Sequence, residues 1–178
     1  FAGKLWNIGA ESQILMGALA ACTAGLTILK DLPGPLAIPL MLLLGFLAGG
    51  LWALIPAVLK IRLGINEVIS TLMLNYMAAE FVTFLVLGPL RGKTQLGQGV
   101  TDNLPPQMQL WTIPGTRIHL LTLVLGLVAA LAVFFLLKHS KLGYEIRVIG
   151  ENREAARYAG IDFMKVTLVM MMISGGLA

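Results

Sequence analysis

The sequence predicts an all-α fold, a polytopic bundle of transmembrane helices. Hydrophobic residues make up 57% of the 178 residues and charged residues only 12%, whereas soluble domains carry about a quarter charged residues. The apolar residues are gathered in runs close to the roughly 20 residues that a helix needs to cross a bilayer, and no run alternates as a barrel strand would. We therefore predict a single transmembrane domain over residues 1–178, with about five membrane segments.

Four apolar runs are long enough, or nearly long enough, to cross a membrane as helices. They cover residues 14–29, 36–59, 68–88 and 118–137. A fifth run begins near Phe163 and reaches the last residue while still too short to span, so we expect the chain to be a fragment of a longer protein. Within the second run, Gly45 and Gly49 form a pair of small residues, four apart, that would let another helix pack closely.

The basic residues predict the orientation, because Lys and Arg collect on cytoplasmic loops. Segment 141–162 and its flanks carry six of them, and alternation adds Lys60 and Arg62 to the same side, giving eight inside against four outside. Segment 89–117, rich in Gly, Pro and Gln, is then an external loop with at most short helical pieces. The net charge of +4 is explained by topology, and we expect no nucleic-acid partner.

One segment, residues 141–162 (KLGYEIRVIGENREAARYAGID), holds eight of the 22 charged residues. Small and apolar residues recur among the charges, which favours a turn followed by a short amphipathic helix. Asn152 can cap that helix, and Gly160 stands where it would stop. A solvated loop that only enforces the membrane topology is an equally good explanation of the charges.

Part of this segment, GENREAARYAGI (residues 150–161), resembles the cytoplasmic coupling segment of ABC importer permeases. Glu154, Ala155, Ala156 and Gly160 reproduce the E-A-A-x-x-x-G pattern of that loop. A longer pattern also includes Gly150, Asn152 and Ile161. It resembles the permeases of simple-sugar, ribose and nucleoside systems and of the related branched-chain amino acid systems. The Ile-x-Leu-Pro ending of many other importer permeases is missing.

Two more stretches are similar to the same family. LWNIGAESQILMGALAA (residues 5–21) resembles the N-I-G-x-E-G-Q-x-x-x-G-A signature of nucleoside-type permeases, with Ser12 where glycine is usual. INEVISTLMLNY (residues 65–76) resembles the E-V-I-x-T-x-M-L-N helix of that group. The three matches lie in the expected order at the start, middle and end of the chain, so the resemblance extends over nearly all of it.

The resemblance implies a membrane subunit of an ATP-driven importer of nucleosides or simple sugars in the cytoplasmic membrane. Its partners would be an ATP-binding subunit, a second permease subunit, identical or not, and a periplasmic or lipid-anchored substrate-binding protein. The residues coupled to the ATP-binding subunit would be Gly150, Asn152, Glu154, Ala155, Ala156 and Gly160. The chain lacks the phosphate-binding pattern G-x-x-x-x-G-K-[ST]. We therefore expect no cofactor in this chain and ATP hydrolysis in a separate one.

Polar residues within the apolar runs predict where a solute would pass. Asn7, Glu11 and Gln13 follow or flank glycines at the edge of the first run, and a polar, Gly-interrupted stretch at membrane depth often borders a transport path. An ordinary helix end at the membrane surface is the alternative.

A second group lies on the third run. At about 100° per residue, one face carries four polar side chains, which we assign either to the solute path or to hydrogen bonds between helices. They are Glu67, Ser70, Thr71 and Asn75. The opposite face carries Tyr76 and Glu80. Tyr76 and Trp52 could stack on a solute ring, although core or interface packing is the better explanation of both.

Two other functions compete with the importer subunit. A transporter or channel driven by an ion gradient would use Glu80, because ionisable residues within a membrane are candidates for ion sites; a structural ion pair with another helix is the alternative role. A membrane-embedded enzyme has no support from any nucleophile or metalloprotease motif. Cys22, His119 and His139 are isolated from one another in sequence, so no catalytic or metal-binding site is predicted.

Overall fold

The structure, a computed structural model, describes residues 3, 5–92, 100–112, 115–116 and 119–178. Seven α-helices and one short 3-10 helix occupy most of this part of the chain. In order they are α1 (Ala10–Leu26), α2 (Gly34–Leu63), α3 (Glu67–Leu87), the 3-10 helix (Pro106–Met108), α4 (Leu120–His139), α5 (Lys141–Glu151), α6 (Arg153–Tyr158) and α7 (Phe163–Leu177). Extended pairing among these residues is limited to an isolated bridge between Thr112 and His119. The predicted all-α fold is confirmed.

Three helices, α2, α3 and α4, are long and apolar enough to cross a membrane, and α7 is a shorter apolar helix. They correspond to the second, third, fourth and fifth predicted runs. The helices extend beyond the runs where polar residues continue the helical turn: α2 includes Lys60 and Arg62 in its last turn, where basic side chains interact well with the helix dipole. α1 begins at Ala10, four positions before the predicted run.

The chain divides into two compact units. The first contains Phe1–Trp6 and Leu110–Met170, and the second contains Asn7–Gln109 and Met171–Ala178. The first unit therefore holds α4, α5, α6 and the beginning of α7. The second holds α1, α2, α3, the 3-10 helix and the end of α7.

In the second unit, α1 packs against α2 through glycine. A Cβ atom on Gly17 would lie 3.0 Å from the carbonyl oxygen of Gly45, and one on Gly45 would lie 3.3 Å from the oxygen of Gly17. Beyond this crossing, the end of α1 and the start of α2 enclose a small apolar core that includes Ala24, Met41 and Met108. The prediction that Gly45 mediates close helix packing is confirmed, since no side chain separates the two backbones.

The turn between α2 and α3 is set by backbone requirements. Gly64 ends α2 in the left-handed conformation, with φ of 67°, which an L-residue with a side chain adopts at a cost. Asn66 then caps α3 by accepting the backbone N–H of Val68 at 2.9 Å. This sharp turn returns the chain at once to a second long helix.

In the first unit, α4 has no buried residue, and α5 follows it after the single residue Ser140. We predicted a turn where α5 lies, and that prediction is wrong for residues 141–151. Leu142, Ile146 and Ile149 recur at helical spacing, and Ile146 and Ile149 are buried in an apolar core. Ser140 caps α5 by accepting the N–H of Gly143 at 3.0 Å, so the amphipathic helix is longer than its charges suggested.

The predicted external loop, residues 89–117, is described only in part. Its positions 93–99, 113, 114 and 117 lie outside the described residues. In the remainder, the 3-10 helix Pro106–Met108 is the only helical element, which agrees with a loop that has short helical pieces. Its external placement stays a prediction.

Candidate functional site

The first helix, α1, begins beside the middle of α3. Gly9 occupies the cap position and offers no side chain to the helix. Instead, the backbone N–H of Ser12 donates to Oδ1 of Asn75 at 3.1 Å, and Nδ2 of Asn75 donates to the carbonyl of Ile8 at 3.1 Å. Asn75 is about 12 Å along α3 from its first residue. A spanning α3 therefore places the start of α1 within the membrane, as in a broken helix.

Asn7, three residues before the start of α1, is the centre of a polar cluster. Its amide pairs reciprocally with the amide of Gln13, at 2.9 and 3.0 Å. Its Oδ1 also accepts the N–H of Gly9 at 3.0 Å, and its Nδ2 also donates to Oγ of Ser174 at 3.2 Å. Both donor hydrogens and both lone pairs of the Asn7 amide are thus engaged by the protein itself.

Two predicted path residues on α3 turn their hydroxyl groups to their own helix. Thr71 Oγ1 donates to the carbonyl of Glu67 at 2.7 Å, and Ser70 Oγ donates to the same carbonyl at 3.2 Å. Both side chains are buried. Thr71 also packs against the start of α1, since a Cβ atom on Gly9 would lie 3.0 Å from the Thr71 Cβ. This face of α3 packs against a neighbouring helix.

The acidic residues near the predicted path are placed differently. Glu67 forms an ion pair with Lys60, and both side chains are largely buried. The pair joins the last turn of α2 to the first turn of α3, where each charge also suits its helix dipole. Glu11, in the first turn of α1, is exposed. Glu80 is exposed on α3 and forms no ion pair with a described residue.

Of the seven predicted path residues, the structure brings Asn7, Gln13, Thr71 and Asn75 together around the start of α1. Ser70 lies beside Thr71, whereas Glu67 is held by Lys60 and Glu11 faces outward. All four clustered side chains are neutral. A solute that passes here would meet no charge from these four residues.

Close glycine contacts fix α2 and the end of α7 beside this cluster. A Cβ atom on Gly49 would lie 2.5 Å from the carbonyl oxygen of Gly175 and 3.1 Å from that of Gln13. A Cβ atom on Gly50 would lie 2.9 Å from the carbonyl oxygen of Met172. Gly49 thus serves the close approach that was predicted for it, and its partners are α1 and α7.

The second candidate site is the short helix α6 in the first unit. Asn152 caps it by accepting the N–H groups of Glu154 and Ala155, at 2.9 and 3.2 Å. The helix ends in a Schellman motif: Ile161 N–H donates to the carbonyl of Ala156 at 3.0 Å, and Gly160 has φ of 73°. The predicted cap and stop are both confirmed.

One side of α6 is anchored and the other is free. Ala156 is buried in the core that contains Ile146 and Val166, and the guanidinium carbon of Arg153 lies 4.0 Å from the centre of the Phe163 ring, a cation–π contact. The residues of α6 other than Ala156 are exposed, namely Arg153, Glu154, Ala155, Arg157 and Tyr158. Tyr158 is 93% exposed, which is unusual for a large aromatic residue and typical of a residue that contacts a partner.

The remaining predicted coupling residues have structural roles within this unit. Gly150 is buried near the end of α5. A Cβ atom added to Gly160 would meet no described atom within 4 Å, so within this chain Gly160 is required for its left-handed φ and not for close packing. Approach of a partner to Gly160 stays a prediction.

Comparison with known proteins decides the family. The model of the family described as "Branched-chain amino acid transport system / permease component" matches residues 1–178. The chain belongs to this permease family. The resemblance drawn from the three sequence motifs is thereby confirmed. No solved structure matches the chain.

Several curated relatives of the permease are named as subunits of ABC transporters. The guanosine ABC transporter permease protein NupP of Bacillus subtilis (strain 168) is 35% identical over 182 residues, which cover 100% of this chain and 51% of the relative. The glucose ABC transporter permease protein TsgB13 of Haloferax volcanii is 35% identical over 188 residues, 98% of this chain and 48% of the relative. The nucleoside ABC transporter permease protein NupB of Lactococcus lactis subsp. cremoris is 30% identical over 186 residues, which cover 98% of this chain and 50% of the relative.

The chain spans about half the length of these curated relatives. Their names describe transport subunits and not enzymes, which leaves the membrane-enzyme hypothesis without support. Among the described residues of the permease, no group of three or more His, Cys, Asp or Glu side chains could hold a metal ion.

Sequence reasoning missed two residues of the permease's polar cluster. Ser174 accepts a hydrogen bond from Asn7, 167 positions away, and Ser12 supplies the backbone N–H that Asn75 binds. Ser12 had no signal, because every residue except proline supplies a backbone N–H. Ser174 had a weak one, as a hydroxyl beside two glycines in an apolar helix.

Proposed function

We propose that this permease chain is part of the membrane-spanning subunit of an ATP-driven importer that carries a nucleoside or a simple sugar across the cytoplasmic membrane. The observation that carries the proposal is α6, a short helix with a defined cap and stop and an exposed side. A loop needed only for membrane topology does not require a capped helix that exposes an aromatic side chain. A docking element does, since it must present one shape to a partner.

The partner of α6 in this proposal is an ATP-binding subunit. Exposed Glu154, Arg157 and Tyr158 offer both charges and an aromatic ring, a composition suited to a protein interface. Asn152 and Gly160 hold the helix ends, while Ala156 ties it to the core. Closure of the ATP-binding subunits would then move α6 as a rigid piece.

The proposed solute is polar and uncharged. The polar side chains gathered at the start of α1 are all neutral, and this favours an uncharged solute. The names of the relatives point to guanosine, other nucleosides and glucose, all of which are neutral. A second permease subunit and an external substrate-binding protein would complete the importer.

The docking role is tested by charge reversal at Glu154. The full-length permease carrying Glu154→Lys should reach the membrane normally but retain much less ATP-binding subunit during purification, because an interface charge is inverted. Asp31→Lys, the same reversal on an exposed residue between α1 and α2, is the matched control and should retain it. Equal retention by the wild type and both variants would exclude docking through α6.

A further inference from the structure

One polar atom of the second unit is left without a partner. The indole Nε1 of Trp52, in α2, is buried and finds no hydrogen-bond acceptor among the described residues. A buried donor without an acceptor destabilises a protein, and native proteins keep few of them. The position of Trp52 therefore needs an explanation beyond packing.

Helical geometry places Trp52 on the side of α2 that faces α1. Gly45 contacts Gly17 of α1, and Trp52 follows Gly45 by seven residues, which returns it to within about 20° of the same direction. It also lies about 10 Å further along α2.

The level of Trp52 follows from the direction of the two helices. Gly49 meets Gln13, which precedes Gly17 in α1, so α1 and α2 run antiparallel. The distance from Gly45 to Trp52, measured along α1 from Gly17 toward its N-terminus, leads to the first turn of α1. Trp52 thus lies at the level of the polar cluster around Asn7.

The backbone of α2 is also interrupted at this point. Pro56 is buried within the helix and has no N–H to donate to the carbonyl of Trp52, four residues earlier. Trp52 therefore lacks two hydrogen-bond partners. One is an acceptor for its indole N–H, and the other is the backbone N–H that would normally bind its carbonyl. Within a membrane, such freed polar groups need another partner, which a neighbouring helix, a water molecule or a solute can provide.

We propose that the indole N–H of Trp52 donates a hydrogen bond to the transported solute. This inference rests on the proposed import function and assigns a recognition residue to it. The amides that the sequence suggested for this role, above all Asn7, are fully bonded to the protein, whereas Trp52 keeps its donor. The solute must then carry an acceptor, such as a ring nitrogen, a carbonyl or a hydroxyl oxygen, and its ring can stack on the indole.

The test compares solute binding and stability in the full-length permease complex without its substrate-binding protein. The probes are tritiated guanosine and, separately, tritiated glucose. Trp52→Phe removes the N–H and part of the ring. Incorporation of β-(3-benzothienyl)alanine at position 52 replaces only the N–H by sulfur and keeps the shape. Trp111→Phe, at a residue that is 65% exposed, is the matched control.

We expect both changes at position 52 to raise the dissociation constant of the bound probe about fivefold or more, the equivalent of one hydrogen bond. The benzothienyl variant should melt no lower than the wild type, because it loses no bond within the protein. Trp111→Phe should leave both quantities unchanged. An unchanged dissociation constant in the benzothienyl variant, with or without a lower melting temperature, would overturn the assignment of Trp52.

The experiment also distinguishes failure of the proposed import function from failure of the role assigned to Trp52. If the wild-type complex binds neither probe and, once supplied with its substrate-binding protein and ATP, imports neither, the import of nucleosides or simple sugars is contradicted, and the role of Trp52 with it. If the wild type binds a probe and the benzothienyl variant binds it equally well, only the role of Trp52 is contradicted.

Discussion

Asn75 on α3 accepts the backbone N–H of Ser12 at 3.1 Å and thereby caps a helix that has no cap of its own. Helix starts leave their first N–H groups without partners, and within a membrane water cannot fill that role. A single amide on a neighbouring helix therefore permits α1 to begin at membrane depth. The polar edge of the proposed solute path depends on this contact.

Replacing Asn75 should destabilise the protein directly. Asn75→Leu removes the acceptor of the Ser12 N–H and the donor to Ile8, and we expect a loss of about 1–2 kcal/mol in the free energy of unfolding. Thermal unfolding in detergent measures this. Met77→Leu, on the exposed side of the same helix, should be neutral. Equal stability of the two variants would show that Asn75 does not cap α1.

Two substitutions of Thr71 distinguish a role in packing from a role in solute recognition. Its hydroxyl donates to carbonyls of its own helix, α3, so Thr71→Val should change ATP-dependent uptake less than about twofold. Thr71→Leu should impair the protein strongly, since the longer side chain presses on Gly9 at the start of α1 and overpacking costs about 1–3 kcal/mol. Uptake per membrane-inserted protein is the measurement. Loss of uptake in Thr71→Val would place the hydroxyl in the solute path after all.

The sequence predicted the helices better than their contacts. Hydropathy locates α2, α3 and α4 because a membrane requires long apolar segments. It fails at the start of α1, where Glu11 and Gln13 interrupt the apolar run and the helix is held by Asn75, 63 positions away from Ser12. It also fails at α5, where charges conceal the spacing of Leu142 and Ile146.

The candidate site was predicted in composition but not in pairing. The sequence singled out Asn7, Gln13, Thr71 and Asn75, and the structure brings them together around the start of α1. Whether a hydroxyl bonds to its own helix or to a neighbour depends on long-range packing, which no local pattern records. For the same reason the unpaired donor of Trp52 could not be recognised from the sequence.

The crossing of α2 and α7 should tolerate no side chain. Gly49→Ala places a methyl group against the backbone oxygen of Gly175, and we expect a loss of about 1–3 kcal/mol as the helices move apart. Gly126→Ala in α4, where no described atom lies within 4 Å of the new Cβ, should be neutral or stabilise by up to about 1 kcal/mol. Unfolding of both variants in detergent decides this, and equal stability would contradict the close crossing.

The stop of α6 should be needed for coupling. Gly160→Ala forces a side chain into the left-handed conformation, at a cost of about 1–2 kcal/mol, and should reduce both retention of the ATP-binding subunit and uptake. Gly64→Ala imposes the same strain at the end of α2, with φ of 67° and no described neighbour within 4 Å. It should spare retention. Equal retention in Gly160→Ala and the wild type would mean that α6 needs no fixed end.

The energy source of transport distinguishes an ATP-driven importer from an ion-coupled carrier. The full-length permease would be reconstituted in vesicles with its second permease subunit, ATP-binding subunits and substrate-binding protein, and uptake of labelled guanosine and glucose measured with and without ATP and ion gradients. We predict uptake only when ATP is present on the cytoplasmic side, unaffected by collapse of the proton and sodium gradients and by Glu80→Gln. Uptake by the permease alone that follows an ion gradient, ignores ATP and is lost in Glu80→Gln would contradict ATP-driven import.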